Sequence, residues 1–128
     1  MQPHQLTLSI VPGVFAVCRL DPASPVPSWA MSDGFIAIVR TAEELSIVCA
    51  EQAVPPGVIC QRGWRGLKVA GPLDFALTGV LASLAGPLAE AGVSIFAIST
   101  YDTDYLLIRE VQLDTAIDAL QRAGHAVA

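Results

Sequence analysis

The stretch that decides the fold is VSIFAISTYDTDYLLIRE, residues 93–110. Its two ends are rich in β-branched and aromatic residues, as buried strands are, and the polar segment 99–104 separates them. A helical pattern precedes the stretch at residues 73–91, and another follows it at residues 113–123. The order strand, helix, strand, strand, helix predicts an α+β fold built on the ferredoxin-like βαββαβ unit.

The longer helical pattern carries start and stop signals. Asp74 stands where an N-cap belongs, and Gly92 follows as a left-handed terminator. Pro87 lies inside the pattern and removes the helical hydrogen bond to the Ser83 carbonyl. Spacings of three and four predict a core-facing stripe of apolar residues: Leu77, Val80, Leu81, Leu84 and Leu88.

The second helical pattern is closed by Gly124 and leaves only the four residues HAVA after it. A ferredoxin-like unit needs a fourth strand there, and four residues barely form one. The apolar run 6–11, near the other end of the chain, could supply that strand. One hypothesis is therefore that residues 6–11 complete the C-terminal sheet instead, and the sequence leaves this open.

The first half of the chain is rich in strand-like runs separated by breakers. Pro12-Gly13 predicts a turn, DPASPVP at 21–27 excludes a regular helix, and TAEE at 41–44 has capping-box form with space for one helical turn. The runs are 6–11, 14–20, 35–40, 45–50, 57–60 and 64–70, the last two flanking a Gly-containing bend. This half is interpreted as a degraded copy of the second, with shortened helices.

Composition limits the classes of function. The chain has 128 residues, of which 53% are hydrophobic and 15% charged, so extensive burial is expected, with little charged surface. We predict a homo-oligomer, most simply a two-fold homodimer. A net charge of −5 argues against nucleic acid as a partner, and the absence of an uninterrupted apolar tract of about 20 residues argues against a membrane. The N-terminus lacks the charged region of a secretory signal, so the cytoplasm is expected.

Few residues of the chain are suited to catalysis or to metal binding. His4 and His125 lie near the chain ends and are expected to be solvated, and Cys18, Cys49 and Cys60 lack the spacing of a metal site. The thiols are predicted to be reduced and buried, and no enzyme activity, metal or cofactor is expected. Asp102 and Asp104 favour a solvated turn; a metal-dependent enzyme using this pair is the alternative.

The segment GPLDFALTGVLASLAGPLAEAGVSIFAISTYDTDYLLIRE, residues 71–110, closely resembles the ACT-domain family. Within it, the resemblance is to small bacterial tandem-ACT proteins related to the CASTOR-type arginine sensors. It covers residues 60–125 well and 6–59 loosely. It implies tandem ferredoxin-like ACT units with an antiparallel sheet and helices on one face, a truncated unit at 1–59 and a full ACT domain at 60–128.

The resemblance also implies a function and a ligand site. ACT domains are regulatory modules, so a small amino acid is expected to bind between ACT units without catalysis. The loop 71–76 between the first strand and the helix would receive it, main-chain groups at the opening of the second strand would bind its α-amino and α-carboxylate groups, and Asp104 would accept hydrogen bonds from it. The predicted ligand-binding residues are Asp74, Phe75, Gly79, Val80, Ser94, Ile95, Thr103 and Asp104.

The sequence leaves two points about the ligand site open. Gly79 costs about 1 kcal/mol against alanine inside a helix, which either close packing or ligand approach explains. Leu77 aligns with an acidic residue of the CASTOR-type site, so a smaller or apolar amino acid is as plausible as arginine. The alternative function is a structural oligomerisation module with no small-molecule ligand. Any regulated protein would be a separate, unidentified chain.

Overall fold

The computed structural model describes residues 5–73 and 79–128. Three short 3₁₀ turns cover Ser28–Met31, Glu51–Ala53 and Glu110–Gln112. The strands are β1 (Thr7–Leu20), β2 (Ala37–Arg40), β3 (Leu45–Ala50), β4 (Ile59–Val69), β5 (Ile95–Ser99), β6 (Asp104–Arg109) and β7 (Ala126–Val127), and the helices are α1 (Val80–Glu90) and α2 (Leu113–Arg122). Within the described residues, no helix is both long enough and apolar enough to cross a bilayer.

The chain forms two compact units. One contains Met1–Val11 together with Arg65–Ala128, and the other contains Pro12–Trp64. The predicted domains 1–59 and 60–128 follow the order of the chain and stay a prediction. The compact units differ from them because the first strand residues pair with strands of the C-terminal half.

The hypothesis that residues 6–11 join the C-terminal sheet is confirmed. Thr7 and Leu8 pair in parallel with Ala126 and Val127, and the Ala70 amide donates a hydrogen bond of 2.8 Å to the Thr7 carbonyl. The start of β1 therefore lies between β7 and β4, and the order in this unit is β7-β1-β4-β6-β5. The short β7 is stabilised because β1 offers a full strand edge to pair with.

The deciding stretch folds as predicted. β5 and β6 form an antiparallel hairpin in which Ile95 pairs with Ile108 and Ser99 pairs with Asp104. Alternate residues of β4 and β6 point at the helices: Leu67 and Val69 on β4, Leu106 and Ile108 on β6. Both helices pack against this one face.

The helices contribute a stripe each to that core. α1 buries Val80, Leu84 and Leu88, and α2 buries Leu113, Ala116 and Leu120. The prediction for Leu81 is wrong, since 39% of its surface is exposed. Leu77 lies outside the described residues. A stripe at three- and four-residue spacing is wider than the contact with the sheet, so its edge stays in solvent.

The ends of α1 are decided by two glycines. Gly79 precedes the helix as its N-cap at φ 76°, a left-handed conformation, so its predicted place inside the helix is wrong. Gly92 terminates the helix as predicted, also at φ 76°, and the Val93 amide donates to the Leu88 carbonyl at 2.9 Å. The predicted N-cap Asp74 lies outside the described residues.

The prediction that His125 is solvated is wrong: only 5% of it is exposed. Its Nε2 lies 3.0 Å from the Ser83 carbonyl oxygen, and its Nδ1 accepts a hydrogen bond of 3.0 Å from the Leu6 amide. Pro87 has no amide hydrogen to give Ser83, so the imidazole supplies the donor that the helix lacks. His125 therefore joins α1, the start of the chain and the approach to β7.

In the other unit the strand order is β2-β3-β1-β4. The predicted turn at Pro12-Gly13 is wrong, because β1 continues through it with Gly13 at φ 100°. The predicted bend is wrong for the same reason: β4 continues through Gly63 at φ 80°. A glycine with positive φ introduces a bulge into a strand without ending it. Both glycines thus lie inside strands that pairing with neighbouring strands keeps continuous.

The capping-box segment 41–44 forms the turn between β2 and β3. The Thr41 amide donates to the Glu44 carbonyl at 2.9 Å. Thr41 Oγ1 accepts hydrogen bonds from the Glu43 and Glu44 amides, each at 3.1 Å. The expected turn of helix is therefore wrong, since the same side-chain capping closes a hairpin instead.

The prediction of buried thiols is confirmed for Cys18 and Cys49, while Cys60 is half-buried; all three are free. Burial, followed by the neighbouring Cys49 and Cys60 thiols, raises the pKa of Cys18 from 9.0 to about 12. Burial also raises the pKa of Cys49. Both thiols are therefore held protonated in the fold.

We expect an alkaline loss of stability that depends on Cys18. The folded protein keeps the thiol protonated up to a pH of about 12, whereas an unfolded chain ionises it near 9.0, so stability falls as the pH rises between these values. Urea unfolding across this range should show a shallower decline for Cys18→Ala than for the parent. If the free energy of unfolding declined with pH equally in the parent and in Cys18→Ala, the prediction would be contradicted. Comparing the two slopes against pH removes the constant packing cost of the substitution.

Candidate functional site

The predicted ligand site lies in the unit that contains Arg65–Ala128, where β4 ends, α1 begins and the β5–β6 turn returns the chain. Asp74 and Phe75 lie outside the described residues. The other six predicted residues are described, and they fall into three groups: the hairpin turn with Thr103 and Asp104, the start of α1 with Gly79 and Val80, and the opening of β5 with Ser94 and Ile95. The third group follows the C-terminal end of α1 and lies at the opposite end of the hairpin from the turn, so the structure does not bring it together with the other two within this unit.

Thr103 is a buried anchor of the turn, with 5% of its surface exposed. Its Oγ1 donates a hydrogen bond of 2.6 Å to the Val69 carbonyl at the end of β4. Its amide donates to Thr100 Oγ1 at 3.2 Å, and its carbonyl accepts from the Thr100 amide at 2.8 Å. The Thr103 hydroxyl proton is therefore used within the protein, and the residue positions the turn.

The loop after β4 is held against the same turn. The Leu73 amide donates to the Asp102 carbonyl at 2.6 Å. Gly71 lies so close to the hairpin turn that an added Cβ would be 2.9 Å from the Asp102 carbonyl oxygen and 3.1 Å from Thr103 Cβ. A residue without a side chain is thus required where the loop crosses the turn.

Asp104 presents the carboxylate of the site. It is half-buried, and its Oδ1 accepts a hydrogen bond of 2.6 Å from Ser99 Oγ, the residue paired with it across the hairpin. A carboxylate with one oxygen oriented by a hydroxyl has further acceptor positions for an ammonium or guanidinium group. Asp102, by contrast, is exposed.

The remaining four predicted residues lie at the two ends of α1: Gly79 and Val80 at its start, and Ser94 and Ile95 after its end. Val80 is buried in the core, so its side chain packs inside the protein and only its main chain could serve a ligand. Gly79 makes no side-chain cap, and the amides of a helix's first turn have no partners within the helix. Ser94 is exposed, and Ile95 packs partly into the core and pairs with Ile108. These positions offer backbone donors and little side-chain chemistry.

Hydrogen bonds therefore bring together the end of β4, the loop after it and the hairpin turn. Sequence reasoning missed the contributions of Ser99, Gly71 and the Leu73 amide. The pairing of Ser99 with Asp104 follows once the two-strand register is known, and the G-P dipeptide after a strand signals the loop. Within the described residues, no group of three or more His, Cys, Asp or Glu side chains could hold a metal ion.

A shallow groove lies elsewhere on this unit, where the C-terminal ends of α1 and α2 approach each other. It has a volume of about 350 Å³. Its lining residues are Pro87, Glu90, Ala91, Ala119, Arg122 and Ala123. It shares none of the residues predicted for the ligand site.

A family model described as the ACT domain matches residues 59–122, half of the chain. This chain belongs to the ACT-domain family. A second family model, described as an N-terminal domain, matches residues 13–57 of this ACT protein. The resemblance and the fold class expected from the sequence are both confirmed.

Relatives of this ACT protein span animals and bacteria. The "Cytosolic arginine sensor for mTORC1 subunit 1" of Rattus norvegicus is 33% identical over 113 residues, which are 83% of this chain and 32% of the relative. This chain thus spans about a third of that relative's length. A crystal structure of an Agrobacterium tumefaciens protein is 38% identical with a TM-score of 0.93, covering 98% of this chain and 93% of that chain.

More distant structures show the fold alone. The aspartate kinase of Clostridium acetobutylicum, described as an allosteric enzyme, is 12% identical with a TM-score of 0.73. The match covers 97% of this chain and 36% of the kinase.

Proposed function

We propose that this ACT protein is a non-catalytic regulatory module that binds a small amino acid reversibly at an interface between ACT units. The observation that carries the proposal is the presence of a backbone donor site and a carboxylate in one unit. The N-cap residue Gly79 gives the start of α1 no side-chain cap, and Asp104 stands on the hairpin turn to which the Leu73 amide hydrogen-bonds. Membership in the ACT family and a relative described as an arginine sensor support the same reading.

The two groups suit the two ends of a zwitterion. Amides at a helix start, aided by the helix dipole, favour the ligand α-carboxylate. Asp104 accepts hydrogen bonds from the α-ammonium or from a cationic side chain. In this proposal Gly79 and Val80 act through their main chain, Thr103 positions the turn, and Asp74 and Phe75 belong to the receiving loop. Ser94 and Ile95 follow the other end of α1, so they would offer their main-chain groups to the ligand from a second ACT unit at the interface.

The proposal includes a setting for the module. We infer a cytoplasmic homodimer that binds neither nucleic acid nor membrane and regulates an unidentified separate protein. Amino-acid binding would favour one arrangement of ACT units over another, because a ligand shifts an equilibrium by its difference in affinity for the two states. Since Leu77 replaces an acidic residue of the CASTOR-type site, the ligand class includes small apolar amino acids as well as arginine.

Thermal-shift measurements with each of the twenty amino acids test this function. One class of amino acid is expected to raise Tm in a saturable way, because a ligand at 100 times its Kd stabilises the folded state by about 2.7 kcal/mol. A flat panel with a dimer of unchanged stability would contradict the proposal and favour the structural oligomerisation module.

Two matched variants test the site. Asp104→Asn removes the charge and retains a similar shape, and we expect it to weaken binding at least about tenfold through loss of a charge-assisted hydrogen bond. Ser99→Ala removes the hydrogen bond to Asp104 while keeping the carboxylate, so it controls for damage to the turn. Equal affinities for the parent and Asp104→Asn would exclude Asp104 from the site.

A further inference from the structure

All three cysteines of the chain lie in the unit that contains Pro12–Trp64. Cys18 is on β1, Cys49 on β3 and Cys60 on β4, and β1 runs between the other two strands. In the register of β1 and β3, Cys18 pairs with Ile47 and Ala16 pairs with Cys49. Cys18 and Cys49 are thus diagonal neighbours on one face of the sheet.

The three side chains form one cluster, which we call the thiol cluster. Cys18 and Cys49 belong to the buried core of their unit, and Cys60 packs against that core from a half-buried position. The strand that carries Cys18 runs between the strands that carry Cys49 and Cys60. Cys18 is therefore the central sulfur, and Cys60 is the sulfur that solvent reaches most readily.

We propose that the thiol cluster is an oxidation site at which a peroxide converts Cys18 and Cys60 into a disulfide. Neighbouring strands lie about 4.8 Å apart. A disulfide joins Cα atoms separated by about 4.4 to 6.8 Å. The two strands that carry Cys18 and Cys60 are neighbours in the sheet, and both side chains belong to one cluster, so the strand spacing is compatible with this bond.

The reaction proceeds in two balanced steps. The Cys60 thiolate attacks one oxygen of hydrogen peroxide, the O–O bond breaks and hydroxide leaves, which forms a sulfenic acid. Cys18 Sγ then attacks Cys60 Sγ, the S–O bond breaks, and the hydroxide leaves with the Cys18 proton as water. The two thiols lose two electrons, and these reduce the peroxide.

The roles of the two sulfurs follow from their surroundings. Burial and neighbouring thiols keep Cys18 protonated, so it is a poor first target for peroxide. Its place beside Cys60 in the thiol cluster suits it to condense with a sulfenic acid formed there. Cys49 is buried on the far side of Cys18 and is not required for either step.

The full chain treated with hydrogen peroxide tests the proposal. After quenching, denaturation and N-ethylmaleimide labelling, the parent should carry one label instead of three and be lighter than the reduced protein by about 2 Da before labelling. Peptide mapping should identify the Cys18–Cys60 pair. Cys49→Ala should form the same disulfide, which makes it the matched control.

Single variants separate the two steps. Cys18→Ala should trap Cys60 as a sulfenic acid that reacts with dimedone, and Cys60→Ala should leave Cys18 unoxidised at the same peroxide dose. Cys18→Ser serves the same purpose if the alanine variant fails to fold. Three labels on the parent after peroxide, or a Cys18–Cys49 bond in its place, would overturn the proposal.

Discussion

Replacing His125 with alanine is expected to lower the free energy of unfolding by about 3 kcal/mol. The substitution leaves the Leu6 amide without its acceptor and the Ser83 carbonyl without its donor. Each polar group left unsatisfied in a buried site costs about 1 to 3 kcal/mol. Urea unfolding of the parent and of His125→Ala measures the loss directly.

Pro87 makes this prediction testable as a double-mutant cycle. In a Pro87→Ala background, the new amide can donate to the Ser83 carbonyl as in an ordinary helix. His125→Ala should then cost less, by about 1 kcal/mol or more, because one of its two partners has another donor. An equal cost in both backgrounds would show that the imidazole does not replace the bond lost at Pro87.

A second variant controls for loss of any side-chain hydrogen bond. Gln112 Nε2 donates to the Gly92 carbonyl at 3.2 Å in an exposed setting. Gln112→Ala should cost well under about 1 kcal/mol, since water replaces the lost donor. If His125→Ala lowered the free energy of unfolding no more than Gln112→Ala, the proposed stabilisation by the two buried hydrogen bonds of His125 would be refuted.

Replacing Gly71 with alanine is expected to destabilise the protein by about 2 kcal/mol, the typical cost of overpacking. The added methyl group would lie 2.9 Å from the Asp102 carbonyl oxygen, which belongs to the backbone and cannot rotate away. The loop after β4 must then separate from the hairpin turn, which weakens the hydrogen bond from Leu73 to Asp102. If the proposed function is right, ligand affinity should fall with stability.

Gly86→Ala is the matched control for Gly71→Ala. Gly86 lies inside α1, and an added Cβ would meet nothing within 4 Å. Gly86 precedes Pro87, and the proline ring crowds a Cβ on the residue before it, so this clash offsets the gain of about 1 kcal/mol from helix propensity. Thermal unfolding should therefore lower Tm more for Gly71→Ala than for Gly86→Ala. A neutral or stabilising Gly71→Ala would show that the loop and the turn are not in tight contact.

Much of the fold follows from local pattern. The hairpin at 93–110 and the second helix are recognisable because their periods of 2.0 and 3.6 are properties of contiguous residues. Gly92 and Gly124 are readable as terminators for the same reason. Pattern was misleading at Pro12-Gly13 and at Gly63, where strand pairing with neighbours keeps the chain extended through a residue that breaks isolated strands.

The candidate site was predictable only in part. Asp104 was identified through the resemblance of its hairpin to a family, and the structure adds Ser99, which orients it. Thr103 lies in a turn that was predicted to bind a ligand. Its hydroxyl instead donates a hydrogen bond to the carbonyl of Val69, which is 34 positions away in sequence. No pattern within the turn reveals that partner, because it depends on where another strand ends.

The sequence by itself determined the elements, their order and the family, since these depend on side-chain periodicity and on short-range motifs. Only the tertiary structure decided that β1 continues through Pro12-Gly13, that His125 is buried and that the three thiols lie in one cluster. Each of these depends on pairing groups far apart in the chain: a strand edge needs a partner, a carbonyl freed by proline needs a donor, and strands adjacent in the sheet bring their cysteines into contact.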